Sequence, residues 1–199
     1  VFSDELYQKA GFEVTNDMSD CDILIGVKEV PIEALIPNKK YFFFSHTIKK
    51  QPYNRSLLQA IIQKNIELFD HEVITDSQGN RLIGFGHYAG IVGTYNGFRA
   101  LGLRNDTFQL PKANSLKDQQ ALIDQLNTIQ LPNIKILLTG SGKVAKGAQE
   151  MLDAMQLKAV SVEDYITKDF EIPVYCKIDV LDYNKRKDGT LINNMDFFN

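Results

Sequence analysis

Two short apolar runs end on ionisable residues, and the segments around them restrict what this chain can fold into. Residues 22–27 form a buried-looking run that stops at Lys28-Glu29, and residues 41–45 form a second that stops at His46. Pro31 stands where the first turn of a short helix tolerates proline, and an amphipathic stretch follows His46, so the order reads strand, helix, strand, helix. Strands joined by helical crossovers run parallel, which brings their C-terminal ends to one edge of the sheet. Open α/β sheets bind ligands outside that edge, so Lys28 and His46 form a candidate acid/base pair.

The flanking sequence extends this pattern. Residues 1–14 read as a short helix, with Ser3 as N-cap, running into a strand at 12–14. A helix starting at Pro52 carries Leu57, Leu58, Ile61 and Ile62 on one face. The run 66–69 is a further strand delivering Asp70, His71 and Glu72, and the segments 73–75 and 81–85 flank a turn-rich stretch like a hairpin insert. A long helix is expected from Gly86 to about Leu103. Its Gly90, Gly93 and Gly97 lower helix stability, so close backbone packing is the expected reason for them. Ser115 is the expected cap of a helix ending near Asn127.

A second informative site lies at residues 134–147. A strand at 136–139 runs into Gly140-Ser141-Gly142-Lys143-Val144-Ala145, and helical composition follows. Gly140 permits a tight turn, Gly142 lets backbone approach a pyrophosphate, and the small Ala145 lets helix pack on strand, with free N–H groups at the helix start for the anion. Lys143 and Lys146 could assist with phosphate, but the glycine spacing is not that of a phosphate loop. A strand at 158–162 should end in an acidic residue if it holds a ribose hydroxyl, and Glu163 or Asp164 lies about there. Ser161 at the tip equally leaves room for a 2′-phosphate, so NAD and NADP both stay open. Residues 174–178 read as a third strand, and 179–199 show no periodicity.

Composition narrows the partners. With 199 residues and 44% of them hydrophobic, the chain has ample material for one large domain or two small ones. A formal charge of −3 provides no basic field for nucleic acid or an anionic membrane, so the expected partner is a small molecule. Cys21 and Cys176 fit no metal spacing or disulfide framework, which points to a reducing, cytoplasmic compartment and to roles as small buried hydrophobes. Three scattered histidines suggest no metal site. His71 and His87 read as local hydrogen-bonding or surface residues. No run approaches the roughly 20 apolar residues of a membrane span. The sequence opens on Val1 rather than methionine, so a leader ahead of it stays open.

Five ordered blocks together resemble a known family: Gly26-Val-Lys-Glu-Val-Pro31, Phe43-Phe-Ser-His-Thr-Ile-Lys49, Asp70-His-Glu72, Phe85-Gly-His-Tyr-Ala-Gly90 and Thr139-Gly-Ser-Gly-Lys-Val-Ala-Lys-Gly-Ala148. They look like the lysine-forming saccharopine dehydrogenases, especially the lysine-ketoglutarate reductase half of the bifunctional aminoadipic semialdehyde synthase. The broader superfamily includes alanine dehydrogenase and the NAD-binding subunit of transhydrogenase.

The resemblance implies an NAD(P)H-dependent reductive condensation of an amino acid, lysine, with a 2-oxo acid, 2-oxoglutarate. It implies Lys28 and His46 as the acid/base residues, Glu29 and Glu72 as carboxylates that tune them in the substrate pocket, and Gly140, Ser141, Gly142, Lys143, Val144 and Ala145 as the nucleotide loop. The expected fold is α/β, with two Rossmann-like lobes of parallel strands. The substrate lobe would occupy 1–110, and a truncated dinucleotide lobe 111–199. An Arg-Glu-x-Lys block found in the family has no counterpart here, nor does the remainder of the cofactor lobe, so little or no turnover is expected of these 199 residues alone. Alanine dehydrogenase activity and a non-catalytic nucleotide-sensing module are the alternatives, and oligomeric state stays open.

Overall fold

The computed structural model describes residues 2–193 and Asp196. The fold is α/β, with two separate parallel sheets in two compact units, Val1–Gly84 and Phe85–Asn199. The division falls ahead of the expected break at 110. The long helix that follows Gly84 packs its apolar side within the second unit.

The first unit opens with helix α1, Asp4–Lys9, which has Ser3 at its N-cap. The strand expected at 12–14 does not form: Phe12 is exposed, and no strand pairs with this segment among the described residues. Strands β1 (Ile23–Lys28), β2 (Lys40–Phe44) and β3 (Glu67–Asp70) follow in the order β1-β2-β3, all parallel. The β1–β2 connection is the short turn Ile32–Ala34, with Pro31 at its N-cap. Helix α2, Arg55–Gln63, covers one face, burying Leu57, Ala60 and Ile61 at helical spacing against Tyr41 and Phe43. Leu58 and Ile62, expected on that face, point outward. The buried-looking run of β1 is also exposed at Ile23, Ile25 and Val27, because β1 is an edge strand with one face uncovered. The expected hairpin is reduced to one antiparallel bridge, Thr75 to Arg81.

The second unit begins with α3, Gly86–Asn105, then α4, Gln119–Leu126, whose cap is Asp118 rather than Ser115. The Asp118 side chain accepts the Ala121 N–H at 3.0 Å, whereas Ser115 closes a preceding turn onto Lys112 O. Strand β4 (Lys135–Thr139), helix α5 (Lys143–Ala154), the two-residue β5 (Lys158–Ala159), α6 (Val162–Thr167), β6 (Val174–Ile178) and α7 (Val180–Tyr183) complete it. The strand order is β4-β6-β5, so the third strand in sequence lies between the first two. Ile91, Tyr95 and Phe98 of α3 share a core with Leu122, Leu126, Met151, Leu152 and Tyr175.

Helices α3 and α5 approach closely at two glycines. A Cβ on Gly90 would lie 1.9 Å from Val144 O, and one on Gly147 2.0 Å from His87 O, so both positions require the bare backbone. The same reason does not extend to Gly93 and Gly97, where a Cβ would meet open space.

Candidate functional site

In the first unit, the parallel register sets Lys28 opposite Phe44, and His46 follows two residues beyond, so both leave the sheet at its C-terminal edge. β3 ends at the same edge and delivers Asp70, His71 and Glu72. His46 adopts a left-handed backbone, φ 57°, which costs a non-glycine residue on the order of 1 kcal/mol and persists only if its surroundings fix it. Several bonds do so. Asn54 Nδ2 donates to His46 O at 3.2 Å, and Lys49 N–H donates to the same oxygen at 3.2 Å.

The turn ahead of His46 hangs on a buried carboxylate. Asp70 accepts the Ser45 hydroxyl at 2.5 Å, the Ser45 N–H at 3.3 Å and the Glu72 N–H at 2.9 Å. One side chain therefore ties the end of β2 to the segment after β3. Nothing in the sequence reading singled out Asp70 for this. The available signal was a carboxylate at a buried strand end with a serine beside the histidine.

Glu72 is only 8% exposed, yet an imidazole and two cationic groups converge on it. His46 Nδ1 lies 3.0 Å from Oε2, while Lys49 Nζ and Arg81 lie 3.2 and 3.6 Å from Oε1. Burial, the largest single influence, would raise the Glu72 pKa. The hydrogen bonds from His46 and Lys49, together with their charges, outweigh it and hold the group below its ordinary 4.5. Lys49 Nζ also lies 3.3 Å from His46 Nδ1, but an ammonium only donates and an ionised carboxylate only accepts. The arrangement that satisfies most groups puts a proton on Nδ1, donated to Glu72, and leaves Lys49 to Oε1. His46 Nε2 is then the nitrogen free to exchange a proton.

The structure does not join every expected residue to this cluster. Lys28 and Glu29 are exposed, and neither makes a side-chain hydrogen bond or ion pair among the described residues. Glu29 instead lines a hollow with Pro31, Tyr53 and Ser56. His71 sets its edge against Phe44, and His87 pairs with Glu150 at 3.0 Å, as local roles for both would have it. Among the described residues, no group of three or more His, Cys, Asp or Glu could hold a metal ion. Cys176 is buried, but Cys21 is exposed, contrary to its expected place in a core.

In the second unit, β4 leads directly into the glycine loop and α5. Gly140 has φ +92°, a conformation that favours glycine, and its N–H donates to Ile178 O at 2.8 Å. A Cβ on Gly140 or Gly142 would meet nothing within 4 Å, so the loop's surface is open, while Ala145 is buried beneath it. The first intrahelical bond of α5 runs from Lys146 N–H to Gly142 O, which leaves the N–H groups of the first turn without intrahelical partners. An open loop, unspent N–H groups and a small residue under the turn suit a pyrophosphate. Lys143 and Lys146 are exposed beside it.

The acidic residues expected at the tip of the next strand are not at the loop. β5 ends at Ala159, and Ser161 caps α6, accepting the Asp164 N–H at 3.1 Å. Asp164 pairs with Lys168 at 2.7 Å. The strand beside β4 is β6.

Comparisons with known proteins agree with the sequence blocks. A family model described as "Alanine dehydrogenase/PNT, N-terminal domain" matches residues 1–92. The chain is 37% identical over 175 residues to the mitochondrial alpha-aminoadipic semialdehyde synthase of Rattus norvegicus, covering 79% of this chain and 19% of that protein. It is 31% identical over 169 residues to the Arabidopsis thaliana synthase, covering 76% of this chain and 16% of the other. To the NAD(+), L-lysine-forming saccharopine dehydrogenase of Candida glabrata it is 34% identical over 127 residues, covering 63% and 31% respectively. The chain thus spans less than a third of each of these relatives. Among solved structures an L-alanine dehydrogenase superposes with a TM-score of 0.50 at 12% identity, over 93% of this chain and 55% of that one, a likeness of fold alone.

Proposed function

The chain belongs to the family that unites the alpha-aminoadipic semialdehyde synthases and lysine-forming saccharopine dehydrogenases with the alanine dehydrogenase/PNT N-terminal domain, and on that premise we propose that it serves an NAD(P)H-dependent oxidoreductase of the saccharopine dehydrogenase type. The reaction assigned is the reductive joining of the lysine side-chain amine to the ketone of 2-oxoglutarate. The Val1–Gly84 unit takes the amino acid and the 2-oxo acid, and the Phe85–Asn199 unit takes the dinucleotide through Gly140, Ser141, Gly142, Lys143, Val144 and Ala145.

The observation that carries this reading is the His46–Glu72 pair at the C-terminal edge of a parallel sheet, in the part of the chain matched by the dehydrogenase domain. Joining an amine to a ketone expels the ketone oxygen as water, and the nitrogen must lose and regain protons along the way. Each event needs a group that can hold a proton near neutral pH. We assign this role to His46: Glu72 orients its ring through Nδ1, which leaves Nε2 to exchange with substrate. Lys28 is the second, placed by its register at the same edge, and its charge attracts the dicarboxylate. Glu29 is assigned to substrate binding from the hollow it lines with Pro31, Tyr53 and Ser56. A nicotinamide dinucleotide held by the glycine loop supplies the hydride.

The test is an assay of the protein as its own cell makes it. Oxidation of NAD(P)H that depends on both lysine and 2-oxoglutarate is the expected result. Oxidation driven instead by pyruvate and ammonia would move the reading to alanine dehydrogenase, and nucleotide binding with neither reaction would leave a sensing module.

A further inference from the structure

A carboxylate outside the sequence blocks sits beside the glycine loop. Thr139, the last residue of β4, is in register with Ile178, the last of β6, so Gly140 and Asp179 leave the sheet side by side. The Gly140 N–H donates to Ile178 O at 2.8 Å, which fixes the start of the loop against the residue that precedes Asp179. Asp179 is half-buried and held in place. Its Oδ1 accepts the Val180 N–H at 2.7 Å, and its own N–H donates to Asp182 Oδ2 at 2.6 Å.

In mononucleotide-binding sheets, the adenosine ribose is read by a carboxylate at the C-terminal end of the strand next to the one feeding the glycine loop. The usual sequence offset would place it on β5. Here β6 separates β5 from β4, with Lys158 and Ala159 paired to the far side of β6. The sheet neighbour of the loop strand is therefore followed directly by Asp179, while Ser161 and Asp164 are engaged in the cap of α6.

Resting on the dinucleotide reading of this unit, we propose that Asp179 is the residue that selects the nicotinamide cofactor, accepting a hydrogen bond from the adenosine 2′-hydroxyl and repelling a 2′-phosphate, so that the chain prefers NADH to NADPH. The 2′-phosphate would bring close to two further negative charges against a fixed carboxylate. Lys177, whose charge acts on Asp179, points its ammonium to Gln149 at 3.0 Å. A charge-assisted hydrogen bond gained with one nucleotide and a repulsion met with the other act in the same direction.

Asp179 also caps α7, a purely structural role, so the test must separate the two. Asn is as good a cap as Asp, and Asp179→Asn therefore keeps the helix start while removing the charge. Binding of NADH and NADPH to the chain, followed by nicotinamide fluorescence and calorimetry, is the measurement. The wild type is expected to bind NADH roughly ten-fold or more tighter than NADPH. Asp179→Asn should bring that ratio close to one, by weakening NADH and tightening NADPH, at an unchanged thermal transition. Glu163→Gln should leave the ratio as it was. Equal or tighter binding of NADPH by the wild type, or a ratio unmoved in Asp179→Asn, overturns the proposal. Binding of neither nucleotide is a different outcome: it removes the dinucleotide reading itself and takes this assignment with it.

Discussion

His46 Nδ1 lies 3.0 Å from Glu72 Oε2, although 26 residues separate the two in sequence. The contact exists because two parallel strands end at the same edge and a third side chain, Asp70, fixes both turns. It orients the imidazole and selects its tautomer. Replacing Glu72 with Gln keeps the shape and removes the charge. The variant is expected to lose about ten- to a hundred-fold in kcat, the usual effect of removing a group that orients a reactive side chain. Nucleotide affinity should not change, since the glycine loop belongs to the other unit. Steady-state kinetics beside a nucleotide titration checks both halves.

The same carboxylate makes stability depend on pH. Its folded pKa lies below 4.5, so the folded state holds the ionised form more strongly than the unfolded chain does. The contribution is fully present above the unfolded value of 4.5 and is lost as pH falls through the lower folded value. Denaturant midpoints measured from pH 7 down to 3 should therefore decline more steeply for the wild type than for Glu72→Gln.

Asp70 anchors three donors in a buried setting, and its loss leaves them unpaired. Asp70→Ala is expected to destabilise the protein by roughly 3 kcal/mol. Ser45→Ala, which removes one hydroxyl, should cost about 1 kcal/mol. Chemical denaturation of the two variants gives the comparison, and equal small losses would show that the anchor is not Asp70.

Two glycines on α3 should respond in opposite directions. Gly90→Ala drives a Cβ into Val144 O and is expected to cost about 2 kcal/mol or more, beyond what the better helix propensity returns. Gly93→Ala meets open space and should stabilise by about 0.5–1 kcal/mol. Thermal unfolding of both variants tests whether close helix approach, rather than glycine content, is what the helix requires.

These contrasts show where the sequence could be read. Strand ends at Lys28 and Phe44 were legible because apolar runs stop sharply at charged or polar residues, and the glycine loop was legible because turn, anion and packing each demand a small residue. The strand expected at 12–14 failed for want of a partner, which no local pattern reports. The cap at Asp118 outcompeted Ser115 by accepting the N–H three residues on, that of Ala121, a choice that two neighbouring cap residues leave undecided. Insertion of β6 between β4 and β5 is a pairing decision, and periodicity carries no record of pairing. Convergence of Lys49 and Arg81 on Glu72 is equally long-range, so the electrostatics of the site emerged only from the fold.

The central claim is that His46 and Lys28 move protons in the joining of lysine to 2-oxoglutarate. The most direct test is the rate of NAD(P)H oxidation with both substrates, in wild type, His46→Gln and Lys28→Met, with nucleotide affinity measured in parallel. The account predicts a loss of about a hundred-fold or more in each variant at unchanged nucleotide affinity. Wild-type rates in both variants would contradict it.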